Sequence, residues 1–169
     1  IEIDKTNINY LKKRNLKISK KIDDVSFKAD LIFSSNVLEH IKNDHLTLID
    51  FRRHLDNNGF LFLYLPAKKI LWTKLDEVVG HYRRYEISRL RELCKDTGFK
   101  IIKLHYADSL GFFTAIIWKI INLFINQTLP SKTSLKIYDK YIFPISRLLD
   151  KLGFKYLIGK NIVLLAKKN

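Results

Sequence analysis

Short apolar runs separated by polar turns set the pattern of this chain, and the runs fall into two periodicities. Ala29-Asp30-Leu31-Ile32-Phe33-Ser34 reads as a buried strand, and Phe60-Leu61-Phe62-Leu63-Tyr64-Leu65 is apolar almost throughout, as a strand covered on both faces would be. Between them, Asp44 to Leu55 carries Leu48, Phe51 and Leu55 at helical spacing, and Asn57-Asn58-Gly59 is a turn signal. Glu86 to Asp96 predicts a helix, Gly98 its terminator, and Lys100 to Tyr106 a further strand. Upstream, Ile1-Glu2-Ile3 reads as the end of a strand already under way. Thr6 then caps a helix through Tyr10, Leu11 and Arg14 that Asn15 closes, and Leu16 to Ser19 is a brief strand. Downstream, two largely apolar helical segments, Leu110 to Asn126 and Leu135 to Leu152, precede a last strand, Asn161 to Ala166.

Strands alternating with helices across short connections predict an α/β fold: a mainly parallel sheet with helices on both faces. With 169 residues, of which 47% are hydrophobic and 12% aromatic, the chain can bury a core as a single domain, which excludes disorder and fibrous architectures. Residues 109–152 form a helical insertion within that domain, ahead of the last strand. No repeat or low-complexity linker interrupts it.

Charge and cysteine content narrow the setting. Thirty-one Lys and Arg against 17 acids give a net charge of +14, a field that attracts phosphate on nucleic acid or on lipid headgroups. Cys94 stands alone, so no internal disulfide or cysteine metal site is expected and a reducing cytoplasm is the default. The longest apolar stretch, Leu110 to Ile125, contains Lys119 and Asn122 and falls short of the roughly 20 residues that cross a bilayer.

Open α/β sheets bind ligands beyond the carboxyl ends of their strands, so the residues after each strand are the candidates for function. Glu2 is an acid at such an end, where a carboxylate can take both hydroxyls of a ribose. In Ala29-Asp30-Leu31-Ile32-Phe33-Ser34-Ser35-Asn36-Val37-Leu38-Glu39-His40-Ile41, a strand runs into a polar tripeptide and a half-apolar turn. Tyr64-Leu65-Pro66-Ala67 leads through Asp76 to Gly80-His81-Tyr82-Arg83-Arg84-Tyr85, which gathers an imidazole, two guanidiniums and two phenols.

These segments resemble class I S-adenosylmethionine-dependent methyltransferases, a Rossmann-like family. Ser34-Ser35-Asn36 with Leu38-Glu39-His40 is similar to the motif after the family's fourth strand, and the Gly80 to Tyr85 hexapeptide is similar to one found in a subgroup of it. Gly159-Lys160-Asn161-Ile162-Val163-Leu164-Leu165-Ala166 resembles the last strand, which inserts antiparallel beside the fifth. The resemblance implies S-adenosylmethionine as cofactor, with Glu2 on the ribose and Ser34, Ser35 and Asn36 at the methionine part. The family's adenine-binding acid aligns with Lys21, Asp23 and Asp24 coming just after it, and Ile22 beside it is counted with the cofactor residues. The family's first strand and Gly-x-Gly loop do not occur in these residues, so the chain reads as truncated at its N-terminus and inactive by itself.

Methyl transfer from a sulfonium is an in-line displacement that asks the protein to align an acceptor and exclude water. His40 or His81 would serve as base, with Asp76 as orienting carboxylate, and no metal is required. Tyr82, Arg83, Arg84 and Tyr85 are the candidate acceptor-binding residues, the guanidiniums suiting an anion. An arginine paired with Asp76 or Glu77 would give the same sequence. Lys119, Asn122 and Asn126 share one stripe of the helix that begins near Leu110. That helix would form either a lid on the acceptor site or, through residues 110–126, a peripheral membrane contact suited to a lipid-linked or sugar-linked acceptor. The competing class is a basic, non-catalytic α/β module binding RNA, for which no recognised motif is present.

Overall fold

The computed structural model describes residues 5–125 and 131–169. The strand expected at Ile1 to Ile3, and with it Glu2, lies outside the described residues. Helix α1 (Lys5–Lys13) ends where Asn15 takes a left-handed conformation at φ 55, as its C-terminal asparagine predicts. Four strands come after it: β1 (Ala29–Ser35), β2 (Leu55–Pro66), β3 (Phe99–Ala107) and β4 (Asn161–Lys168). They form one sheet in the order β1-β2-β4-β3. β1 and β2 are parallel, and β4 runs antiparallel to both of its neighbours, β2 and β3. Three strands therefore point the same way around an inserted reverse strand, as expected for Asn161 to Ala166.

Helix α2 (Asp44–His54) is capped by Asn43, whose side chain accepts from the Leu46 N–H at 3.1 Å, and ends on Arg52, Arg53 and His54, favourable at the negative end of the helix dipole. A short helix, α3 (Lys74–Val78), and then α4 (Ile87–Asp96) lie between β2 and β3. Gly98, at φ 74, stops α4 and turns the chain into β3. One face of the sheet carries the core: Leu61, Leu63 and Leu65 of β2 meet Ala166, Leu164 and Ile162 of β4 with no exposed surface. Leu38, Leu48, Leu90 and Leu93 close over them, and each such side chain contributes about 1.5–3 kcal/mol by leaving water. Cys94 lies in this core, where burial pushes its thiol up to about 11 and keeps it inert.

Three expectations are corrected. Leu16 to Ser19 forms no strand. It has no neighbouring strand among the described residues to satisfy its backbone, and Leu16 faces solvent. β2 begins at Leu55 rather than Phe60, because Leu55 pairs with Ala29 across a register shift. The Asn57-Asn58-Gly59 turn tendency survives as the left-handed Asn58, at φ 68, inside the strand. The second face of β1 and β2 is not covered by described residues: Phe33 stacks on Phe62 at 5.3 Å, yet Leu31 and Phe33 stay more than half exposed.

The insertion starts with α5 (Ser109–Ile125), directly after β3 at the sheet edge opposite β1. The expected Leu135 to Leu152 helix is one helical run of three parts: α6 (Lys132–Ile137), a π-helical turn Tyr138–Ile142, and α7 (Phe143–Lys151). α5 packs against α7, and Leu110 N–H donates to Ser146 Oγ at 3.0 Å between them. No helix among the described residues is long and apolar enough to cross a membrane.

Candidate active site

Because β1 and β2 are parallel, their carboxyl ends lie side by side, and the loops leaving them meet. Ser35 pairs with Tyr64, and Asn36, left-handed at φ 50, donates its N–H to the Tyr64 carbonyl at 2.9 Å. Ser34 is buried, and its hydroxyl has no partner among the described residues. A 3-10 turn, Leu38–His40, then buries Leu38 and Glu39 and leaves His40 exposed.

The Gly80 to Tyr85 segment is strapped across both strand ends. Gly80 supplies the positive φ, 78, at its start. The Tyr82 N–H donates to the Glu39 carbonyl at 2.8 Å. Tyr85 exchanges backbone bonds with the end of β2, accepting from Lys68 N–H at 2.9 Å and donating to Pro66 at 2.8 Å. The Tyr85 ring is 1% exposed, with its hydroxyl 3.3 Å from Asp44 and 3.4 Å from the Leu38 carbonyl. Arg83 donates to the carbonyls of Ile41 and Lys42 at 2.6 and 2.5 Å.

At the centre of the strap is a chain of titratable groups. Asp76, buried at the start of α3, accepts from Arg84 Nε at 2.8 Å and Nη2 at 3.1 Å, from the Thr73 N–H at 2.9 Å, and from His81 Nδ1 at 2.8 Å. Burial opposes its ionisation, but these donors, Arg84 foremost, hold its carboxyl below the usual range. The acceptor at Asp76 fixes the proton of His81 on Nδ1, so Nε2 is the open nitrogen. Nε2 faces Glu39 Oε1 at 3.8 Å, and the His40 ring meets the His81 ring edge-on, 4.6 Å between centroids. Glu39 has no exposed surface, and neither carboxylate oxygen accepts a hydrogen bond among the described residues. Desolvation raises its pKa, against the pull of its own backbone N–H and of His81, His40 and Arg84. Glu39, His40 and His81 each bring a ligand atom to within 4.8 Å of the others, a spacing that a divalent cation could bridge.

Of the residues singled out in the sequence, Ser34, Ser35, Asn36, His40, Asp76 and His81 gather at these strand ends. Tyr82 is exposed beside them, and with Lys69, Trp72, Arg83 and Arg84 it lines an open depression of about 370 Å³. Arg84 and Tyr85 build the strap itself and do not present free groups to an acceptor. The pairing of arginine with Asp76, one of the two sequence alternatives, is the one found. Ile22 is half-buried in the 3-10 turn Ile22–Asp24, which packs on α2. Glu39 is a site residue that the sequence reading misses. Its signal is an acid inside the half-apolar Val37-Leu38-Glu39-His40-Ile41, where a buried carboxylate needs a reason.

A family model described as a methyltransferase domain matches residues 3–104. No curated protein matches the chain. Among solved structures, the chain is similar to an S-adenosylmethionine-dependent methyltransferase from Archaeoglobus fulgidus, at 13% identity and TM-score 0.60, over 99% of this chain and 74% of that one. It is also similar to a proposed sarcosine dimethylglycine methyltransferase from Galdieria sulphuraria (14% identity, TM-score 0.54, 98% of this chain and 65% of that one). The [4+2]-cyclase SpnF matches at 12% identity and TM-score 0.51, over 95% of this chain and 60% of that one. At these identities the likeness is one of fold, and the chain spans less than two thirds of the latter two relatives.

Proposed function

Since the chain belongs to the methyltransferase-domain family, we propose that the protein methylates an anionic, lipid- or sugar-linked acceptor with S-adenosylmethionine, using His81 as the base. The donor set at the end of β1 fits that cofactor: hydroxyls of Ser34 and Ser35 and the amide of Asn36 would hold its polar end, and the Ser34 hydroxyl is buried with no partner of its own among the described residues. When bound, the cofactor supplies an electrophilic methyl group on a positively charged sulfur.

The protein's part is alignment and proton handling. As the acceptor takes up that methyl group, its proton would go to His81 Nε2. Asp76, anchored by Arg84, orients the ring, and the buried Glu39 carboxylate balances the imidazolium. Over the depression, Trp72 and Tyr82 offer stacking faces and Lys69 a cationic one, a lining that suits a sugar phosphate.

The observation that carries this reading is the Asp76–His81–Glu39 chain set at adjoining strand ends in a methyltransferase-family fold. The test is the full-length protein, titrated with S-adenosylmethionine and then given a labelled-methyl donor with extracted lipids and sugar phosphates. Cofactor binding with label transfer is expected. His81→Ala should keep binding and lower transfer by about 10²-fold or more. Failure of the full-length protein to bind the cofactor overturns the reading.

A further inference from the structure

The polarity of α5 is reversed. Its polar residues face the protein: Lys119 Nζ donates to the Ile70 carbonyl at 2.7 Å, and Asn122 has its Oδ1 buried and unpartnered among the described residues. Part of its apolar surface faces solvent. Phe113, Ile117, Ile120 and Phe124, spaced i, i+4, i+7, i+11, are each at least half exposed, so they form one continuous outward stripe. The second helical run repeats the device at the same spacing: Tyr141, Ile145, Leu148 and Leu152 are all more than half exposed. A helix placed to cover a core or a cleft turns its apolar stripe inward, so these two are not explained by folding or by the lid.

Basic residues border the second stripe. Lys136-Ile137, Lys140-Tyr141, Arg147-Leu148 and Lys151-Leu152 each set a cation beside an exposed apolar side chain. Asp139 is the one exposed acid among them, and Asp150, on α7, is spent inward on the N–H groups of Asp108 and Ser109 at 2.7 and 3.2 Å. A second copy of the chain docking through the same surface would bring these cations against their own counterparts. An anionic headgroup layer neutralises them while taking up the apolar side chains.

We propose that the outward stripes of α5 and of the helical run ending in α7 form a docking face that lies in the headgroup layer of an anionic bilayer. The helices rest on the membrane and do not span it. Lys119 ties this face to Ile70, in the turn beside Trp72 and the depression it lines, so a lipid-borne acceptor is met where the membrane meets the site. The docking itself does not rest on methyl transfer and is measured without cofactor.

The experiment is co-sedimentation of the full-length protein with phosphatidylcholine vesicles, with and without phosphatidylglycerol. Sedimentation is expected with the anionic vesicles and much less with phosphatidylcholine alone. Ile117→Ser/Phe124→Ser should weaken partitioning at least about tenfold by removing inserted carbons from a surface that carries no core. Lys140→Gln/Arg147→Gln/Lys151→Gln should weaken binding to anionic vesicles about a hundredfold and leave the weak binding to neutral ones unchanged. Circular dichroism matching the parent shows that both variants fold. No binding to either vesicle overturns the proposal. So does a dimer seen by light scattering that Ile117→Ser/Phe124→Ser converts to monomer, since the face would then be a protein interface.

Discussion

Replacing Glu39 by glutamine should make the protein more stable and less active. The wild-type carboxylate has no exposed surface, and its two oxygens accept no hydrogen bond among the described residues, so ionising it in place costs desolvation that His81, His40 and Arg84 only partly offset. An unsatisfied buried polar group costs about 1–3 kcal/mol. Glutamine removes the charge and presents an N–H to His81 Nε2, which is otherwise an acceptor facing an acceptor at 3.8 Å. A net gain of about 1 kcal/mol at pH 8 corresponds to about 2–4 °C in Tm for a chain of this size. The sign changes with pH in a defined way. The folded-state pKa of Glu39 lies above its ordinary 4.5, so the wild type keeps its full stability below that value and loses an increment as pH rises through the folded one. The gap between variant and wild type, read by thermal circular dichroism, should therefore be smallest at about pH 4, below that ordinary value, and wider at pH 8. Methyl transfer should fall at least about tenfold, because the protonated His81 loses its counter-charge. A variant less stable at pH 8, or a gap that does not move with pH, would refute the view of Glu39 as a strained site residue.

Arg84→Ala should destabilise the fold by about 3 kcal/mol, since it strands the buried Asp76 carboxylate with only Thr73 and His81. Asp76 sits below its ordinary 3.8 in the folded protein, so its ion pair adds stability above that value and loses it as pH falls through the folded one. Acid titration of Arg84→Ala should show unfolding at a higher pH than wild type. Gly111→Ala lies in α5, where alanine is the better helix former, yet its Cβ would overlap the Asp108 carboxylate and the Tyr138 hydroxyl. Denaturant unfolding should show a loss of about 1–3 kcal/mol, and a stabilised variant would mean that the Asp108–Tyr138 contact yields freely.

The parts of the fold legible in the sequence are those where local pattern and tertiary partner agree. The Phe60 to Leu65 run, the helical spacing of Leu48, Phe51 and Leu55 and the Gly98 stop each carry their own signal, and each is found in place. Leu16 to Ser19 shows the limit: apolar residues at alternate positions permit a strand, but only a neighbouring ladder makes one. Asn57-Asn58-Gly59 shows another, since pairing between Leu55 and Ala29 carries the strand through residues whose own preference is to turn. The polarity of α5 is half legible. The sequence places Lys119 and Asn122 on one stripe but does not say which way that stripe faces, and it is the tertiary contact to Ile70 that turns it inward.

The site is legible as chemistry before it is legible as geometry. A hexapeptide holding His81, Arg83, Arg84 and two tyrosines marks itself by composition, and in sequence the arginines read as clamps for an anion. In the structure their donors meet carbonyls and Asp76 at 2.5 to 3.3 Å: Arg83 fixes the loop after β2 to the loop after β1, and Arg84 braces the loop after β2 on Asp76 and Ala67. A guanidinium held by several fixed acceptors cannot also follow a substrate through the changes of charge in a reaction. It can hold a histidine still while the charge changes next to it. On the proposed function, acceptor recognition falls to groups with free faces, Tyr82 of the hexapeptide with Trp72 and Lys69, of which the last two form no motif by spacing. The most conspicuous residues of the sequence are in this way the scaffold of the site, and Glu39, buried beside them with no hydrogen-bond partner among the described residues, is the one whose cost to stability points to a role in the reaction.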